Sequence, residues 1–183
     1  MVAVIVIVVL VVLIGLFFWL GFNGLVRRRN QVDNAWSQID VQLKRRHDLI
    51  PNLVETVKGY AAHERGTFEA VTNARANAIN AQGPEAQAQA ENVLSGALKS
   101  LFAVAEAYPD LKANQNFLNL QEELTASEDK VAYARQYYND SVLSYNTQIQ
   151  KFPTVLIAGM FHFEKRDFFD AAPEDTEPVQ VQF

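Results

Sequence analysis

QVDNAWSQIDVQLKRRHDLIPNLVETVKGY, residues Gln31–Tyr60, carries apolar side chains at a fixed helical spacing. Val32, Trp36, Ile39, Leu43, Ile50, Leu53, Val57 and Tyr60 recur at alternating steps of four and three, and the one missing step falls on Arg46. That is the one-sided stripe of a helix packed in a bundle, kept up coiled-coil fashion over four heptads. A charge at a stripe position is tolerated only with an acidic or carbonyl partner, so Arg46 predicts an inter-helix pair with Glu122, Glu123, Glu128 or Asp129. Pro51 removes one helical hydrogen bond. Because the stripe keeps its phase across it, the sequence predicts a kinked continuation rather than a stop.

Upstream, Met1–Phe22 holds no charged residue. As a helix the run measures ~33 Å against a hydrocarbon core of ~30 Å, long enough to span a bilayer. Trp19 sits where an interfacial aromatic would lie, and Arg27, Arg28 and Arg29 follow. A cleaved signal peptide fits poorly: no positive segment precedes the run, the run is too long, and no small-residue cleavage site ends it. Residues 1–26 are therefore expected to form a single-pass anchor. The three arginines place the N-terminus outside and the rest in the cytoplasm. No breaker lies between Leu25 and Val32, so the membrane helix should run on as the first bundle helix.

Downstream, Gly59 and Gly66 weaken the helix, while Phe68 and Val71 extend its spacing toward Ala78. Gly83-Pro84 marks a turn. A second helix then runs to about Ala107, with Val93, Leu94, Leu98 and Leu101 on one face. Tyr108-Pro109-Asp110 breaks the chain again. A third long helix follows from Leu111, passes through the capping-box pattern at Thr125 and Glu128, and ends at Phe152-Pro153. Thr154–Phe163 reads as a short fourth helix. Residues 27–168 thus form the bundle, and 169–183, rich in Pro, Asp and Glu, a disordered tail. The fold class is all-α.

Charge divides along the chain. Residues 27–62 hold seven basic and four acidic side chains; residues 63–183 hold nine and seventeen. Basic charge next to the anchor suits an anionic lipid surface, and the acidic remainder argues against nucleic acid. Without cysteine there are no disulfides, thiolate metal sites or cysteine nucleophiles. His47, His63 and His162 are the only histidines, and they fall in no di-iron, zinc-protease or other catalytic pattern. His47 and His63 read as surface side chains. No cofactor is implied. Two polar groups stand out as candidates for a core polar network or a partner site. One gathers Asp40, Arg45, Arg46, Asp48, Asn52 and Glu55, with Glu123 downstream; the other gathers Arg135, Tyr138, Asn139, Tyr145 and Asn146. Buried tyrosines with hydroxyls on polar partners are the plain reading of the second group, and a ligand pocket the sharper one.

These stretches carry a resemblance. RNQVDNAWSQIDVQLKRRHDLIPNLVETVKGYAAHE (Arg29–Glu64), NFLNLQEEL (Asn116–Leu124), ARQYYNDSVLSYN (Ala134–Asn146) and Phe152-Pro153 together resemble the LemA family of bacterial membrane proteins. The resemblance covers nearly the whole chain apart from the acidic tail. It implies a single-span anchor with an outward N-terminus in the bacterial inner membrane, an antiparallel helical bundle, and an accessory role in the cell envelope. Some members are associated with membrane metalloproteases, and relatives act in membrane-organelle formation. No catalytic residues come with the family. The expected function is a membrane-anchored scaffold or adaptor that binds a protein partner, such as a membrane protease, or a second copy. The alternatives are a ligand sensor or enzyme using the Arg/His and Tyr clusters, and a membrane-remodelling protein.

Overall fold

A computed structural model describes residues 1–169; the expected acidic tail, apart from Phe169, lies outside them. Six helices follow in order: α1 Val2–Lys58, α2 Arg65–Asn80, α3 Pro84–Glu106, α4 Pro109–Lys112, α5 Gln115–Gln150 and α6 Thr154–Met160. The all-α class holds, and no strand occurs among the described residues.

The chain divides into two compact units, to both of which α1 and α5 contribute. The first comprises residues 1–37 and 137–167. Its interior is Leu25, Val32 and Ala35 of α1, Val142, Tyr145 and Ile149 of α5, and Ile157 of α6. From Val2 to Leu16 every large apolar side chain of α1 stands exposed. The second unit comprises 38–136 with Phe168 and Phe169. Its core is built from Ile50, Leu53 and Val57 of α1, Phe68 and Val71 of α2, Leu94, Leu98 and Leu101 of α3, and Phe117 and Leu124 of α5.

The helix α1 runs unbroken through Pro51, as the phase of the stripe required. Pro51 has no N–H for the carbonyl four residues back, that of His47. Arg75 of α2 supplies the missing donor: its Nε donates to the His47 carbonyl at 2.7 Å.

Between Lys58 and Arg65 the structure departs from expectation. Helix α1 stops at Gly59, where the N–H groups of Tyr60 and Ala61 both donate to the Val57 carbonyl at 3.0 Å. Glycine is a poor helix former by about 1 kcal/mol, and burial of Ala61 at the corner fixes the turn. Tyr60, the last residue of the expected stripe, is therefore exposed. Its hydroxyl accepts from Asn114 Nδ2 at 3.0 Å. Asn114 in turn caps α5: its Oδ1 accepts from the N–H groups of Asn116 and Phe117 at 2.9 and 3.1 Å. The third long helix thus begins at Gln115 rather than Leu111, which belongs to the single turn of α4. Gly83 adopts φ 86° immediately before Pro84, the first residue of α3.

Candidate functional site

Each unit holds one polar cluster. In the second unit Glu91 of α3 is buried at the centre. Its Oε2 accepts from Arg46 Nη1 at 2.7 Å. Its Oε1 meets His47 Nε2 at 2.7 Å and accepts from Gln87 Nε2 at 3.1 Å. An ionised carboxylate can only accept, so opposite one the His47 Nε2 is the donor of this pair. Arg46 Nη2 donates to Ser95 Oγ at 2.8 Å and lies 3.7 Å from Glu128 Oε1. Gln87 also donates to the Ala78 carbonyl at 3.0 Å.

Arg46 thus has the partner its stripe position demanded, but not mainly the one expected. Glu128 is the outer, longer contact, and the close partner Glu91 lies on α3. His47 is not a surface side chain: it is 6 % exposed, with Glu91 of α3 set against its Nε2. His63 is exposed, as read from the sequence. Of the other residues singled out in this region, Asp40, Arg45, Asp48, Asn52, Glu55 and Glu123 all face solvent; Glu55 pairs only with Lys58, at 3.3 Å. Arg135 is half-buried on the wall of a cleft of about 280 Å³, shared with Arg46, Glu91, Ser95, Lys99 and Glu128. A second cleft of similar volume lies between Asp40, Lys44, His47, Asp48 and Gln87.

Glu91 with both oxygens engaged is a lock between α1 and α3 rather than a free base. Sequence reasoning passed over it, although the signal was present. Gln87 and Glu91 stand at the head of the row that continues as Leu94, Leu98, Leu101 and Ala105, at the same steps of four and three. Val93, assigned to that buried face, is exposed.

In the first unit, α5 grips the extended segment after α6. Tyr138 Oη donates to the Asp167 carbonyl at 2.8 Å and Tyr145 Oη to the Glu164 carbonyl at 2.9 Å. Asn146 takes both backbone groups of Arg166: Nδ2 donates to its carbonyl at 2.8 Å, and Oδ1 accepts its N–H at 2.9 Å. Arg166 Nη2 closes the clamp on Asp33 Oδ1 of α1 at 3.0 Å. The Trp36 ring packs on Tyr138 with centroids 5.5 Å apart. Burial pushes the Tyr138 hydroxyl up to about 12, against the opposing charge of Arg166, and raises that of Tyr145 as well. Residues 164–167 fill the space beside these tyrosine hydroxyls. Asn139 is half-buried beside them.

Near the apolar run, Trp19 and Arg27 are exposed. Arg28 Nη1 donates to Ser144 Oγ, and the Arg29 guanidinium lies 5.4 Å from the centre of the Phe163 ring. Two of the three arginines are therefore also engaged with protein. No group of three metal-ligating side chains converges among the described residues.

These features define an all-α protein whose first helix begins with a segment long and apolar enough to cross a membrane. The LemA family model matches residues 35–183, and the chain belongs to that family. The match takes in the acidic C-terminus, which the four quoted motifs left out. The chain is 29 % identical over 167 residues to Protein LemA of Metamycoplasma hominis, covering 87 % of this chain and 72 % of that one. It is 25 % identical over 184 residues to Magnetosome protein MamQ 2 of Paramagnetospirillum magneticum, covering 86 % and 68 %. Magnetosome protein MamQ of Magnetospirillum gryphiswaldense matches at 24 % over the same span. The relatives support a membrane-associated protein.

Proposed function

We propose that this chain is a membrane-anchored scaffold or adaptor that docks a protein partner, or a second copy, on the outer face of α1. The observation that carries this reading is a row of outward side chains on the anchor's own helix. Val41, Arg45, Asp48, Asn52 and Glu55 follow at steps of four and three, opposite the buried stripe, and all are exposed. Mixed charges around an exposed valine suit a specific polar contact better than a lipid surface. The buried network and the clamp serve to hold the helices that display this row. In this reading the anchor sits in the bacterial inner membrane with Arg27–Arg29 on the cytoplasmic side, which the basic run directly after the apolar segment supports; a reporter fused at the C-terminus tests that orientation. Photo-crosslinkers at Arg45, Asp48 and Asn52 in native membranes test the docking. Adducts of defined mass support the reading, and uncrosslinked monomer at all three positions contradicts it.

One observation favours a second reading, an anion sensor. The cleft above Glu91 sets Arg46, Lys99 and Arg135 against two carboxylates. Saturable binding of a small carboxylate or phosphate there, abolished by Lys99→Glu, would separate this reading from the first.

A further inference from the structure

We propose that residues 152–161 are a second membrane-contacting element, seated in the interfacial layer of the leaflet into which Trp19 projects. This rests on the reading of α1 as a membrane anchor. The segment FPTVLIAGMF has no charged residue, and Lys151 precedes it while Lys165 and Arg166 follow closely. Within it α6 is apolar on both faces. Ile157 and Ala158 are buried. Phe152, Val155, Leu156 and Met160, spaced to share the other face, are exposed; Phe152 is 81 %, Leu156 57 % and Met160 59 % accessible. A helix apolar all round belongs in a core or in lipid, and no other part of this unit covers the outer face.

The height of α6 along α1 says what does. Ile157 Cδ1 occupies the space left by the missing side chain of Gly21. The Phe22 ring meets Phe161 at 4.8 Å and Phe163 at 5.7 Å between centroids. From Val2, a helix rising 1.5 Å per residue reaches Gly21 after ~29 Å, about the thickness of the hydrocarbon layer. Helix α6 is therefore docked where acyl chains give way to headgroups, two residues beyond the exposed Trp19. A short apolar helix flanked by basic side chains at that depth matches a helix lying in the interface. The exposed apolar side chains of this part of α1 run to Leu20, one residue before the Gly21 approach of Ile157, so the same leaflet covers both.

The cysteine-free chain allows a direct test on the full-length protein in vesicles of phosphatidylcholine and phosphatidylglycerol. Single cysteines replace Leu156, Met160, Leu10 and Ser100, each labelled with a polarity-sensitive fluorophore. The proposal expects labels at Leu156→Cys and Met160→Cys to lose fluorescence to lipids with a nitroxide near the headgroup. It also expects iodide in water to quench them several-fold less than the label at Ser100→Cys. Iodide quenching equal to that of Ser100→Cys, with Leu10→Cys still quenched by lipid nitroxides, overturns the proposal and leaves the anchor standing. If Leu10→Cys also reports water, the anchor reading falls and the proposal with it. Labels at 156 and 160 shielded from both quenchers show that protein covers the face, which overturns the proposal as well.

Discussion

Replacing Glu91 with alanine removes the one group that answers three others. Arg46 loses its 2.7 Å partner and keeps only Ser95 and the distant Glu128. His47 loses its only side-chain contact of this network, and Gln87 keeps only the Ala78 carbonyl. The Arg46 and Glu91 side chains are 4 % and 7 % accessible, so water does not replace what is lost. Breaking a buried ion pair from one side costs about 3–5 kcal/mol, a large part of the 5–15 kcal/mol that holds a typical domain together. Each 1.4 kcal/mol is tenfold in an opening equilibrium, so amides of Leu94–Leu101 should exchange about 10²- to 10⁴-fold faster in Glu91→Ala. Glu91→Gln, which keeps the shape and one acceptor, should fall between. Arg46→Met with Glu91→Met should recover the share of the loss that belongs to the ion pair, because apolar replacement of both partners is often neutral, while His47 and Gln87 stay without Glu91. Glu128→Ala should cost no more than ~1 kcal/mol, since Glu128 is largely exposed. Hydrogen exchange of the full chain in lipid nanodiscs reads all four variants. Exchange in Glu91→Ala within about threefold of the parent would show that Glu91 does not lock α1 to α3.

Other consequences follow from single contacts. Arg75→Ala orphans the His47 carbonyl and should cost about 1–3 kcal/mol in urea unfolding. Adding Pro51→Ala returns an N–H to that carbonyl, so the double variant should be the more stable of the two. Asn146→Ala frees both backbone groups of Arg166, and limited proteolysis after Lys165 or Arg166 should become markedly faster while cleavage elsewhere is unchanged. Tyr138 stays protonated to about 12 when folded and ionises near 10.0 when unfolded. The unfolded chain thus releases its proton first, and stability should fall as pH rises through that window. Tyr138→Phe should flatten that alkaline slope in urea midpoints taken at successive pH values.

Much of this was legible in the sequence, for identifiable reasons. The α1 stripe is long enough that its phase overrides Pro51, and the gap in it announced a buried Arg46. Glu122, Glu123, Glu128 and Asp129 stand close together on α5 and point to that helix, whereas Glu91, the acid that answers Arg46, stands alone in an alanine-rich stretch of α3. Its position in the row gave it away, not its neighbours. His47 looked solvated because charges flank it in sequence, but Arg46 and His47 straddle the inward line of the helix. The break at Gly59 was hidden because an apolar spacing resumes beyond it, and only burial of Ala61 distinguishes a corner from a weak helix. Tyr138 and Tyr145 set their hydroxyls on polar partners, as amphipathic rings do when buried. That those partners are the backbone of residues 164–167 depends on a return of the chain that no periodicity encodes.

Whether the first turns of α1 lie within a bilayer is decided by alkaline carbonate extraction of membranes holding the full chain. A spanning α1 keeps the protein in the membrane pellet until detergent releases it. Recovery in the carbonate supernatant would contradict that placement.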